Sequence, residues 1–526
     1  MTSKLVSDEV RRMPFRNPAL QWLLLGAAIL FILLINPIGY NGGGRDDWQY
    51  LDAARCWRVF GPCLPHNHWQ GRWPVIAPIV VLSALFGESR WSVEAAALIP
   101  SVVSLILLVL IGNRAFGRPV GLIAALLLLL APTFSTQLLD ANVEATELAF
   151  CLLGWLALMH CDAQSRWLMP MIAGFSFGMA FQVRETAIVA PLLVALALLF
   201  YRYRTTSAQM ASAIAGFALP LLVEFTTFFV MTGDPFWRRK LSIGHTQIRS
   251  TELLGPIDRL YSPFFNPAYI ANWRREPGVH IHWSIDGLVN LFINADAGLF
   301  LLLIPLILIG LPRALSPPLR KQALLIYVGA FAYMCVLIYA FAIDPKPRMM
   351  TVPFAALAIA LAAMLVEMRR LGFKLAAGAA FAMPTLVGIV LLGLHLEFYS
   401  LSGPALTWVQ RYPGQIDIDE NTRRELTFVP EIWRLQAPQG PIKMLMVQLN
   451  IPCDDWVRRS GLVQLQTVDR ASMSRYPSLD WRKVGELCLF RPTGALTTWQ
   501  FQAAVDRVNN AIARENGKPR HTANLS

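Results

Sequence analysis

Apolar residues come in long blocks with short polar breaks. The runs Leu20 to Ile38, Val93 to Ile111, Ala208 to Met231 and Leu375 to Leu396 each approach or exceed the roughly 18–20 residues that cross a bilayer core as a helix. Further blocks near 120–134, 143–159, 167–183, 187–201, 295–311, 322–343 and 350–366 bring the expectation to about eleven spans. The stretch Pro74 to Gly87, about 14 residues, suits a helix lying along the membrane better than one crossing it. The first run lacks a small-residue cleavage site and is followed by the polar Asn41-Gly42-Gly43-Gly44, so it is read as a retained helix. After residue 400 the pattern changes. Strand-like runs at Ile442 to Leu449 and Leu487 to Phe490 and a helix-like stretch from Gln500 to Arg514 predict a small α/β domain. No internal repeat of fixed period is visible.

Composition agrees with the pattern. Hydrophobic residues make up 55% of the 526 and charged residues only 15%, which excludes an ordinary soluble protein. The net charge of +12 is explained by topology and not by nucleic acid. Arg114, Arg118, Arg166, Arg202, Arg204, Arg313, Arg320, Lys321, Arg369, Arg370 and Lys374 fall in brief turns on one side, with Lys4, Arg11, Arg12 and Arg16 ahead of the first span. The positive-inside rule makes that side cytoplasmic. The N-terminus is then cytoplasmic, and three larger pieces lie outside: residues 39–92, 232–294 and 400–526. The expected organisation is a membrane domain over 1–399 and an extracytoplasmic domain over 400–526, in the cell membrane (the inner one in a Gram-negative cell). This placement allows Cys56 to pair with Cys63 and Cys453 with Cys488 in an oxidising compartment, and leaves Cys151, Cys161 and Cys335 as packing residues.

Several polar groups invite a chemical reading. Asp46-Asp47 follow the glycine-rich exit of the first span, where a carboxylate suits a general base and equally suits a solvated helix start. Asp140, Glu144 and Glu147 are spaced by four and three, which predicts one face of a helix at membrane depth. That face serves an active site, or pairs with arginines for structure alone. Arg72, Arg184 and Arg348 sit at expected outer helix ends and are suited to a phosphate; snorkelling or local pairing explains any one of them as well. Glu185 reads as the local partner of Arg184. His66 and His68 allow a divalent metal beside the acidic pair, but no third fixed ligand indicates one. His245 is a candidate for substrate binding. Trp48, Trp57, Trp69 and Trp73 suit a sugar or lipid groove and, equally, the membrane interface.

Arg45-Asp46-Asp47-Trp48-Gln49-Tyr50-Leu51-Asp52-Ala53-Ala54-Arg55 resembles the first-loop signature of the protein O-mannosyltransferase and aminoarabinose-transferase superfamily: an acidic pair, a tyrosine three residues on, then an acidic-x-Ala-Arg run. Arg72-Trp73-Pro74 ahead of Phe86-Gly87, Ala115-Phe116-Gly117-Arg118, Gly178-Met179-Ala180 through Arg184-Glu185-Thr186, Gly233-Asp234-Pro235 and Pro347-Arg348 continue the likeness over roughly 20–370. Trp73-Pro74 stands where that superfamily usually has a double proline, Arg72 where it has a lysine, and Leu98 where an arginine often precedes the proline aligned with Pro100. The donor sugar is therefore not assigned. The resemblance implies an all-α polytopic GT-C fold carrying a small extracytoplasmic α/β domain. It also implies an inverting glycosyltransferase that takes a sugar from a polyprenyl-phosphate donor to a hydroxyl of a cell-envelope acceptor (glycolipid, polysaccharide or protein). In it Asp46 is the base, Asp140 a second acid of the site, and Arg72, Arg184 and Arg348 the phosphate ligands. Asp47, Tyr50, Glu144 and His245 are expected near substrate, and no cofactor is required. The rival reading is a transporter or channel using Asp140, Glu144 and Glu147; it calls for matching broken helices in two halves, which the sequence lacks.

Overall fold

Prolines, glycines and short polar breaks cut the apolar chain into helices. The computed structural model describes residues 18–35, 45–87, 90–135, 137–161, 167–200, 206–247, 283–294, 297–341, 347–398, 402–419, 422, 443–449, 451–462, 464–474, 483–494 and scattered positions from 496 to 511. In chain order the helices are α1 (Pro18–Ile35), α2 (Arg45–Phe60), α3 (Trp73–Phe86), α4 (Arg90–Phe116), α5 (Arg118–Leu129), α6 (Pro132–Ser135), α7 (Val143–Met159), α8 (Leu168–Val183), α9 (Val189–Phe200), α10 (Ser207–Thr232), α11 (Trp237–Gln247), α12 (Trp283–Ile293), α13 (Ala297–Gly310), α14 (Pro317–Cys335), α15 (Thr351–Arg370) and α16 (Lys374–Phe398). Their ends carry familiar signals. Thr206 and Gln209 form a capping box at the start of α10, and Gly233, at φ 74°, closes it in the left-handed conformation. Pro74 and Pro119 sit in the first turns of α3 and α5, where a missing N–H costs nothing.

Among the described residues, five helices are long and apolar enough to span a bilayer: Ser92–Phe116, Ser207–Thr232, Pro317–Ala340, Arg348–Arg370 and Lys374–Leu392. A bent pair, Gly287–Ile293 with Ala297–Gly310, would make a sixth, and Ala19–Leu34, Trp73–Phe86, Arg118–Leu129 and Leu168–Val183 are shorter apolar helices. The chain is a multi-pass membrane protein. One expected block is broken, the one over 120–134, which stops at Leu129 and restarts as α6 from Pro132; the one over 187–201 begins in a 3₁₀ turn, Glu185–Ile188, that runs directly into α9.

The apolar window of Arg348–Arg370 is 83% buried and that of Ser207–Thr232 only 17%, so α15 runs through the centre of the bundle and α10 lines its edge. Helices are drawn together in membranes by close backbone approach at small residues, and α8 and α10 show it. A Cβ on Gly174 would fall 1.9 Å from the Ala213 carbonyl oxygen, one on Gly178 2.6 Å from that of Phe217, and one on Gly216 2.2 Å from that of Met171. This seam brings the end of α8, with Gln182 and Arg184, against α10, with Glu224. Pro100 lies inside α4, where Ser101 and Ser104 hydroxyls donate to the Ala97 and Pro100 carbonyls and Ser104 also reaches the Ala145 carbonyl on α7.

The chain divides by its contacts into two units, Met1–Gly39 with Gln49–Leu392, and Tyr40–Trp48 with Gly393–Ser526. The second unit holds α17 (Ser402–Arg411), β1 (Ile416–Ile418), β2 (Met444–Leu449), α18 (Cys453–Ser460), β3 (Leu465–Ser474) and β4 (Lys483–Pro492). The sheet order is β1-β2-β4-β3, with β1 and β2 parallel and the other pairs antiparallel. Leu445, Val447, Cys488 and Phe490 face Trp456, Phe501 and Val505, while Met444, Met446, Leu487 and Leu489 face Ala405 and Trp408. Cys453 and Cys488 are disulfide-bonded, tying α18 to β4.

Candidate active site

The loop after α2 is fastened to that helix by side chains close together in sequence. Asn67 Nδ2 donates to Gln49 Oε1 at 2.7 Å, Arg72 Nη1 to the Tyr50 hydroxyl at 2.7 Å, and Gln70 Nε2 to Asp52 Oδ2 at 3.0 Å. The Cys56–Cys63 disulfide closes the far end of the same helix. Tyr50 is fully buried, so the guanidinium of Arg72 rests on a rigid support. Asp46 and Asp47 occupy the first turn of α2, with Asp46 one turn before Tyr50 on the same helix face; their side chains lie outside the described residues. His245 falls in α11, and its side chain also lies outside them.

Asp140, Glu144 and Glu147 are all buried, at 3, 2 and 4% exposure. The expectation that they share one helix face is corrected at Asp140. The helix begins only at Val143, whose N–H is accepted by the Asn142 side chain as N-cap, and Asp140 stands in the turn before it. Glu144 and Glu147, one turn apart, do share a face of α7.

Arg184 ends α8 and is 6% exposed. Its Nη1 lies 3.7 Å from Glu147 Oε2, and its Nη2 donates to Met349 Sδ at 2.7 Å. Met349 and the half-buried Arg348 belong to the 3₁₀ turn Pro347–Met350. Arg72 is within electrostatic reach of both Glu147 and Glu185. Arg184 therefore stands beside Glu147, Arg72 lies within electrostatic reach of it, and Met349, the neighbour of the third expected phosphate ligand, rests on Arg184. His66 is exposed and His68 packs on Trp69 with ring centroids 3.7 Å apart. Among the described residues, the grouping with metal-ligand geometry is Cys453, Glu486 and Cys488, whose thiols are joined to each other.

Arg238, on α11, was not marked out by the sequence reading. It is 4% exposed and gathers three elements: Nη1 donates to Gln182 Oε1 at 2.6 Å and to Glu224 Oε2 at 2.9 Å, and Nη2 lies 3.1 Å from Glu185 Oε1. Ser242 donates to the same Glu185 oxygen, and Trp237 Nε1 donates to the Pro65 carbonyl of the first loop. In Trp237-Arg238-Arg239-Lys240 it reads as one of a solvated basic run. The signal that finds it is Glu224, a lone acid inside an apolar span, which requires a cation.

Burial alone would raise the Glu185 carboxyl, but the Arg238 and Arg72 guanidiniums and the Ser242 hydroxyl outweigh it and hold the group below its ordinary value of 4.5. A carboxyl lowered by folding stabilises above its unfolded value and loses that contribution as the pH falls through the folded one. Glu185→Gln is therefore expected to melt below wild type at neutral pH, with the gap closing as the pH drops below 4.5. Melting curves of the two proteins between pH 3 and 7, about the range over which carboxyls titrate, check this; a gap constant with pH would show that the carboxylate charge is not what holds α11.

Residues 74–228 match the family described as dolichyl-phosphate-mannose-protein mannosyltransferase. No curated protein sequence matches the chain. Among solved structures, ArnT from Cupriavidus metallidurans in the apo state aligns with a TM-score of 0.51 at 13% identity, covering 91% of this chain and 99% of that one. ArnT from the same organism bound to undecaprenyl phosphate aligns at 0.39 and 13% identity, covering 90% and 98%. The Archaeoglobus fulgidus oligosaccharyltransferase in the apo form aligns at 0.45 and 14% identity, covering 81% and 61%. Of these three, the first carries the fold assignment. Residues 74–228 are thus similar to that mannosyltransferase family, and over nearly its whole length the chain has the GT-C fold seen in ArnT.

Proposed function

We propose that this protein is an inverting glycosyltransferase that moves a sugar from a polyprenyl-phosphate donor to a hydroxyl of a cell-envelope acceptor on the extracytoplasmic face. The observation that carries the reading is the buried Arg184 beside Glu147, with the half-buried Arg72 within electrostatic reach of the same carboxylate. Arg72, fixed by Tyr50, and Arg184, at the end of α8, offer permanent positive charge in a water-poor site, where it binds and stabilises a phosphate leaving group far better than at a wet surface. The family matched over residues 74–228 is named for a lipid-phosphate sugar donor, which agrees with that chemistry.

In this scheme the acceptor hydroxyl gives its proton to Asp46. Its oxygen bonds to the anomeric carbon from the face opposite the phosphate, the carbon–oxygen bond to the phosphate breaks, and the polyprenyl phosphate departs against Arg72, Arg184 and Arg348. The configuration inverts, and Asp46 later releases its proton to water. Asp140 and Glu144 orient the acceptor. A monophosphate leaves with less charge than a nucleotide diphosphate, so the arginines take the place a divalent metal has elsewhere, and no step is routed through a metal. In this reading the N-terminus lies in the cytoplasm and residues 400–526 outside.

Mass spectrometry of envelope lipids and glycans from cells with and without the protein tests this. The expected result is one glycan or lipid that lacks a single-sugar increment without the protein and regains it on complementation. An unchanged set of glycans would overturn the proposal in favour of transport.

A further inference from the structure

Arg184 is an under-used cation. A guanidinium offers five N–H donors in a planar fork and normally meets a carboxylate through two short parallel bonds. Here, with the side chain only 7% exposed, the carboxylate of Glu147 stands at 3.7 Å, beyond hydrogen-bond length, and Nη1 has no hydrogen-bond partner. Nη2 is given to the sulfur of Met349, a weak acceptor. One turn before Glu147, Glu144 Oε2 is likewise buried without a hydrogen bond. The cluster thus holds donors strong enough for an oxyanion, balanced in charge by a carboxylate that does not engage them fully.

We propose that Glu147 is a stand-in for the donor phosphate: it neutralises Arg184 between turnovers and gives it up when the phosphate arrives. This rests on the reading that Arg72 and Arg184 bind that phosphate. The donor phosphodiester presents two non-bridging oxygens and the spent monoester three, so either takes both arms of the guanidinium, which the carboxylate does not, while Arg72 is within electrostatic reach of Glu147 as it stands. Glu147 is then a positioning residue that sets how tightly donor is held and how readily spent carrier leaves.

The test is binding of undecaprenyl phosphate to the full-length protein in nanodiscs, for wild type, Glu147→Gln, Arg184→Gln and the double variant. With its competitor removed, Glu147→Gln is expected to bind ~5–10-fold tighter, the size of a lost charge-assisted contact, and to show a larger ligand-induced rise in melting temperature. Arg184→Gln is expected to bind at least ~10-fold more weakly, and the double variant to match it, because the gain from Glu147→Gln passes through Arg184. Should Glu147→Gln fail to fold, Glu147→Asp, which withdraws the carboxylate by one methylene, is expected to tighten binding in the same direction. Tightening that persists without Arg184, or an unchanged or weakened affinity in Glu147→Gln, would overturn the stand-in role while leaving the donor site intact. No binding of undecaprenyl phosphate by wild type would overturn the donor reading itself and this inference with it.

Discussion

Asp46→Asn is expected to lower turnover by roughly 10²–10⁴-fold, the usual contribution of a positioned general base, while leaving donor KM and melting temperature near wild type. The amide has the shape of the carboxylate and cannot take the acceptor proton. Helix α2 is held by Gln49, Tyr50 and Asp52 to the loop carrying Arg72, and by Cys56–Cys63 at its other end. In the proposed function the arginines hold the donor phosphate, so the loss should fall on kcat. Single-sugar transfer in proteoliposomes, with donor concentration varied, separates the two constants. Wild-type turnover in Asp46→Asn would remove the base assignment, and a matching rise in KM would move Asp46 to binding.

Arg238→Met is expected to destabilise the membrane unit by about 3–5 kcal/mol, the cost of leaving buried partners of a charge without it. Three groups lose their cation at once: Gln182 at the end of α8, Glu185 in the following turn, and Glu224 inside α10. Methionine keeps much of the aliphatic bulk beside Gly71, where a Cβ would lie 3.3 Å from the Arg238 side chain, so the change isolates the charge. Thermal unfolding in detergent should show the loss. Adding Glu224→Gln to Arg238→Met should recover part of it, because one uncompensated acid is removed together with its partner. A melting temperature within the scatter of wild type would mean that α11 is held by Trp237 and its neighbours alone. Because Trp237 bonds the Pro65 carbonyl and Arg238 packs on Gly71, the same variant is expected to loosen the loop that carries Arg72 and to raise donor KM.

Much of this was legible along the chain, and the reasons are local. A run such as Ala208 to Met231 has one stable fate in lipid, a helix with its backbone bonded internally, and α10 covers it. Pro74 to Gly87 was readable as a short helix by its length, and α3 is that helix. In the second unit, Ile442 to Leu449 and Leu487 to Phe490 read as strands along the chain, and β2, from Met444, and β4 fall there, buried on two faces. The strand β3, Leu465–Ser474, did not. It pairs at the sheet edge beside β4, where alternate polar residues hide its character. Arg72 and Arg184 could be marked out one at a time because charge near an apolar run is costly and demands a role.

What spacing could not supply is company. Asp140, Glu144 and Glu147 looked like one helix face because four and three are helical intervals, yet Asn142 caps the helix after Asp140, and a cap of that kind is settled by how the turn packs. Arg238 does not stand out along the chain because sequence does not say that Glu224, 14 residues before it, and Glu185, further back, are waiting in the same place. Composition and hydropathy alone determined that the chain crosses a membrane repeatedly, since the price of bare polar groups in lipid is set residue by residue. Only the tertiary structure decided that Arg184, Glu147 and Met349 meet, because that meeting depends on glycine seams and helix ends far apart in the chain.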